Sequence, residues 1–220
     1  MGADSIFHPC TNDNGQQVEI KKPSKATPLN HFEDQSKIAS ILPGGKVPEA
    51  LNGVPFFSWT GRPTTPNDWL QVIGQGDFPE SSMKPIPGKK LSAGVVTVEP
   101  DGRIWVVCPT NQFGGYTVTF PKGTVDKGLT PRVSAIKEAF EESGLQVELT
   151  ALIGDFERTT SVTRYYLAKR VGGNPADCGW ESQSQSVGLI PKARLLEVVS
   201  HPADKPLIEK VLAMLANQEV

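Results

Sequence analysis

The sequence predicts an α/β fold: an α/β/α sandwich on a mixed sheet, with a proline-rich N-terminal extension. Three observations carry that expectation. From Leu91 onward, runs rich in β-branched residues alternate with two helical patterns, which stacks helices against a sheet. Of the 19 prolines, 11 fall in residues 1–90, so regular elements are interrupted there. At 220 residues and 23.8 kDa the chain can bury one substantial core. The expected division is an extension over 1–90, partly irregular and docked on the core, and a catalytic-sized domain over 91–220.

Within the extension, "GVPFFSWTG" and "DWLQVIG" hold aromatic and aliphatic residues that a purely solvated linker would lack. After Leu91, "LSAGVVTV" and "RIWVVC" flank an Asp-Gly turn and read as a hairpin. "YTVTF" reads as a third strand, followed by the loop "PKGTVDKGL" and a helix of about 13 residues starting near Pro131. "QVELTALIGDFER", "TRYYLAKRV" and "SQSVGLI" read as strands, and "PLIEKVLAMLANQ" as a closing amphipathic helix.

Composition narrows the function classes. A formal charge of -2 provides no global basic field for collecting nucleic acid, so any polyanion must be gripped locally. No apolar run is long enough to span a bilayer and the N-terminus lacks a signal-peptide pattern, so the expected location is cytoplasmic, with no membrane partner. Cys10, Cys108 and Cys178 form no C-x-x-C pair, and His8, His31 and His201 stand far apart, which argues against a zinc cluster or a disulfide framework.

The helix "AIKEAFEESGL" raises the chemical question. Thr130 suits an N-cap, Pro131 the first helical position and Gly144 a left-handed stop. At roughly 100° per residue, Glu142 lies about 40° to one side of Glu138 and Glu141 about 60° to the other, while Val133, Ile136 and Phe140 share the opposite face. Three carboxylates are thus expected to project from the exposed side. Glu138 and Glu142 form a like-charge i,i+4 pair, which costs a helix about 0.2–0.5 kcal/mol. A solvated acidic face is one account of the pattern; a site for a hard divalent cation is the other.

From Gly123 to Leu145 the stretch "GTVDKGLTPRVSAIKEAFEESGL" resembles the 23-residue Nudix box, in which glycine, glutamate, arginine and a Glu-Glu pair stand at fixed offsets. Gly123, Glu138, Ala139, Glu141, Glu142, Gly144 and Leu145 match; Leu129 stands where a glutamate is expected and Lys137 where an arginine is.

The resemblance implies hydrolysis of a pyrophosphate bond in a nucleoside diphosphate linked to another moiety. ADP-ribose, a dinucleoside polyphosphate or a diphosphoinositol-like compound would be the substrate. It implies that Glu138, Glu141 and Glu142 hold Mg²⁺ or Mn²⁺ together with a main-chain carbonyl, that of Lys122. Glu138 and Glu142 would serve catalysis. The general base would be Glu138 or Glu181, with Asp155 and Glu157 behind them.

Lys122 in "FPKG" is a candidate phosphate contact, as are Arg158 and Arg164. Phe113, Tyr116 and Trp180 are either stacking platforms for a base or core residues. The expected partner is a small nucleotide-type diphosphate; no nucleic acid is expected other than an RNA 5′ end, and a homodimer is an assembly the resemblance allows. The departures at Leu129 and Lys137 keep open a catalytically impaired nucleotide-binding or regulatory module.

Overall fold

The computed structural model describes residues 5–12, 14–21, 23, 25–179 and 184–217, apart from the side chains of 111 and 113. In chain order the elements are β1 (Ile6–Thr11), β2 (Gln17–Ile20), β3 (Ala39–Ile41), β4 (Ala50–Leu51), β5 (Val54–Pro55), α1 (Pro66–Leu70), β6 (Lys90–Thr97), β7 (Ile104–Pro109), β8 (Lys122–Thr124), α2 (Pro131–Ser143), β9 (Leu145–Glu157), β10 (Ser161–Gly173), β11 (Ser184–Ile190), α3 (Leu195–Val198) and α4 (Lys205–Ala216).

A mixed sheet runs in the order β8-β6-β10-β9, with β6 and β10 parallel and its other neighbours antiparallel. A second, antiparallel sheet runs β3-β11-β7. Period-two alternation along the strands builds two cores. Val95, Trp105, Val107, Tyr166, Val187 and Leu189 face one side with Val133, Ile136 and Phe140 of α2. Their chain neighbours Val96, Ile104, Val106, Tyr165 and Ile190 face the other, with Leu207, Ile208 and Val211 of α4. Helices on both faces make the expected sandwich. Burying each large apolar side chain contributes about 1.5–3 kcal/mol, so these two stripes supply much of the cohesion.

Two expectations are corrected. The Asp-Gly turn forms, with the Glu99 N–H donating to the Arg103 carbonyl at 2.8 Å, but the flanking strands do not continue as a hairpin. Beyond the Val98–Ile104 bridge, β6 joins one sheet and β7 the other. Buried Glu99 occupies this corner, accepting from Trp105 Nε1 at 2.7 Å and Arg170 Nε at 2.6 Å. "YTVTF" is no strand. Thr119 bridges to Val107 of one sheet, and two residues later the Pro121 carbonyl accepts from Val95 N–H of the other, so this segment crosses between sheets and pairing resumes only at β8.

The first 90 residues add β3 to the edge of β11 and place Phe32, Leu51, Trp69 and Val72 in the α2-side core. Buried Arg103 and Arg170 and half-buried Arg132 satisfy main-chain carbonyls of these irregular stretches: Arg103 Nη2 donates to Phe32 O at 2.7 Å, Arg170 Nη2 to Leu51 O at 2.8 Å and Arg132 Nη2 to Phe78 O at 2.7 Å. Such carbonyls would otherwise be buried without partners.

Candidate functional site

Helix α2 starts and stops as its residues dictate. The Thr130 Oγ1 accepts the Val133 N–H at 3.3 Å, Pro131 takes the first position, and Gly144 closes the helix at φ 69°. Its glutamates, however, do not all project into solvent. Strand β8 and the loop after it lie along the helix, so Glu138 is only 8 % exposed and Glu142 accepts the Lys122 N–H at 2.9 Å. The main chain at Gly123 approaches so closely that a β-carbon there would collide with the Glu138 carboxylate. The glycine of the motif therefore makes room for a carboxylate.

Electrostatics follow from this crowding. Burial raises the Glu138 pKa, and the charges of Glu142 and Glu141 raise it further. Burial likewise raises Glu142, with Lys122 opposing it through its charge and its N–H. Glu141 is drawn to Lys137, whose Nζ lies 2.8 Å from Glu141 and 3.2 Å from Asp126. Burial disfavours the Lys137 charge, but these carboxylates outweigh it and hold the ammonium protonated.

Among the described residues no three carboxylate, imidazole or thiol groups converge into a ready-made metal cage. The donor set nonetheless suits a hard divalent ion, which takes one or two carboxylates and fills the rest of its shell with water and phosphate oxygens. Two crowded carboxylates of raised pKa are the groups whose mutual repulsion such an ion would relieve.

The other candidate residues divide. Lys122 belongs to the cluster, its Nζ 4.5 Å from the centre of the Tyr116 ring. Tyr116 is stacked on His201 at 3.9 Å between ring centres, so one ring face is already covered. Arg158 is buried rather than displayed on the surface; its guanidinium pairs with Asp204 at 2.8 Å and donates to the Ala203 carbonyl, anchoring the segment before α4. Arg164 is only 1 % exposed and is held by Asp155 at 2.6 and 2.8 Å, Glu80 at 2.6 Å and the Ser81 carbonyl at 2.7 Å. That network commits the Arg164 guanidinium to two carboxylates and a main-chain carbonyl, and it commits Asp155 as well. Glu157 pairs with Lys89 at 2.9 Å. Glu181 and Trp180, and the side chain of Phe113, lie outside the described residues.

Sequence reading missed Glu80 and His201. Nothing local marks either; Glu80 meets its partners 52 to 86 positions away in the chain.

Comparison with known proteins agrees with this architecture. A family model described as NUDIX domain matches residues 88–210, more than half of the chain. An RNA pyrophosphohydrolase of Caulobacter vibrioides is 36% identical over 100 residues, covering 45% of this chain and 55% of that protein. A second, of Shewanella sediminis, is 32% identical over 85 residues, covering 38% and 45%. The chain spans about half the length of these curated relatives. Among solved structures, a Caenorhabditis elegans Ap4A hydrolase in a binary complex is 22% identical with a TM-score of 0.48, covering 57% of this chain and 98% of that one.

Proposed function

Given that the chain belongs to the Nudix family, we propose that it is a pyrophosphohydrolase that cuts a nucleoside diphosphate linked to another moiety, with Mg²⁺ or Mn²⁺ bound. The observation that carries this reading is the pairing of Glu138 and Glu142 beside the Gly123 main chain, two carboxylates crowded together in a buried setting. An empty solvated acidic face would spread its charges into water instead.

In this reading Glu138 and Glu142 would hold the ion together with the main-chain carbonyl of Lys122, and Glu141 would join them on leaving its contact with Lys137. When bound, the ion neutralises charge that builds on the phosphate oxygens. The chain's own groups do the rest. Lys122, beside Glu142, presents a point charge to a phosphate. Lys137 holds Glu141 in place through one Nζ contact where an arginine fork would make two, which loosens its orientation. The proton of the attacking water goes to Glu138 of this cluster or to Glu181. The names of the relatives favour an RNA 5′ end as one member of the substrate class.

The test is turnover by the full chain, with either ion, of ADP-ribose, dinucleoside polyphosphates, diphosphoinositols and 5′-triphosphate RNA. Release of phosphate or a nucleotide from at least one is expected, and Glu142→Gln should lower kcat at least a hundredfold with the fold intact. Inactivity toward every compound would refute the assignment, and full activity of Glu142→Gln would relocate the site.

A further inference from the structure

A cleft of about 410 Å³ lies between residues 62–69 of the N-terminal segment and the loop and helix of the box. Arg62 and Trp69 line it from one side; Lys127, Leu129, Lys137 and Glu141 line it from the other. The volume falls within the range of small-molecule sites, about 300–1,000 Å³. The N-terminal wall is held in shape. Thr65 and Asp68 cap α1 reciprocally at 3.2 Å each, and Trp59 packs edge-on against both Trp69 and Phe140 at 6.0 and 5.4 Å.

Both departures from the box, Leu129 and Lys137, line this cleft. Arg62, Lys127 and Lys137 bring three positive charges to it, against Asp126 and Glu141, which leaves an excess of one. A glutamate at 129 would cancel that excess and replace an apolar wall packed against the core. Leucine at 129 therefore turns the lining of this cleft from charge-neutral to partly apolar with a net positive charge, at the place where the chain's own N-terminal segment closes over it. Glu141 belongs both to the cleft and to the glutamate cluster, so the two are contiguous.

We propose that this cleft is a second subsite, which takes the anionic nucleotide moiety lying beyond the scissile pyrophosphate. The proposal rests on the pyrophosphohydrolase reading. It assigns residues 62–69 to substrate selection and makes the departures at 129 and 137 adaptations of specificity.

The test compares diadenosine tetraphosphate, which carries a nucleotide on both sides of the cut, with ATP, which carries one on a single side. In Lys127→Glu and Leu129→Glu full-length chains, KM for diadenosine tetraphosphate should rise tenfold or more, with kcat moving far less and the rise for ATP at most a third as large. Leu129→Gln, similar in size but uncharged, should shift KM less than threefold. An equal rise for the two substrates overturns the proposal. A direct arm measures diadenosine tetraphosphate binding by saturation-transfer NMR: a tenfold loss of affinity in Lys127→Glu supports the subsite, and unchanged affinity refutes it. If the parent chain turns over neither compound, the binding arm alone decides the cleft, and the wider substrate panel decides the pyrophosphohydrolase reading.

Discussion

Replacing Glu80 by alanine should loosen the strap that residues 75–81 form across α2 and β10. The Glu80 carboxylate accepts from Arg164 Nη1 at 2.6 Å, from Tyr166 Oη at 2.7 Å and from Arg132 Nε. Each hydrogen bond to a charged group contributes about 1.5–3 kcal/mol when well formed. Arg164 keeps Asp155 and the Ser81 carbonyl, and Arg132 keeps the carbonyls of Gln75, Gly76 and Phe78, so neither cation is stranded. The Tyr166 hydroxyl loses the partner described for it.

The sum therefore falls below three full bonds, to about 3 kcal/mol, which for a chain of this size lowers Tm by about 6–12 °C. Thermal unfolding followed by circular dichroism measures it. A cycle with Tyr166→Phe should show coupling of about 0.5–3 kcal/mol. Burial works to raise the Glu80 pKa, but Arg132, Tyr166 and Arg164 outweigh it and the net shift is downward. A depressed folded pKa means the stabilisation is complete above the ordinary glutamate value and is lost as pH falls through the folded one. The Tm gap between parent and Glu80→Ala should accordingly shrink toward low pH. A gap under 1 °C at neutral pH, or one that widens on acidification, would refute the argument.

Gly123→Ala would place a methyl group against the Glu138 carboxylate; it should cost about 1–3 kcal/mol of stability and at least tenfold in kcat, read by chemical denaturation and by turnover of the preferred substrate. Glu99→Ala would leave the fully buried Arg170 guanidinium without its carboxylate and should cost about 3–5 kcal/mol in urea unfolding, where a loss below 1 kcal/mol would contradict the pairing.

The legible parts of the molecule were those in which neighbours along the chain supply the physics. Thr130, Pro131 and Gly144 set the limits of α2 through groups three or four positions apart, and the alternation in β10 and β11 sorts side chains to opposite faces whatever the partner strand. The candidate cluster was half legible. Spacing put three glutamates on one side of a helix, but whether that side meets water depends on β8, which comes to the helix because it pairs with β6.

By itself, then, the sequence determined the helix, its apolar stripe, the strands β6, β7, β9, β10 and β11 and the glycine-to-glutamate spacing, because each depends on local geometry repeated along one stretch of chain. Only the tertiary structure decided that Glu138 is buried, that Arg164 is locked to Asp155 and Glu80, and that the N-terminal segment walls a cleft beside Leu129 and Lys137. Burial and pairing between residues many tens of positions apart depend on how sheets and straps close over one another, and no local periodicity encodes that.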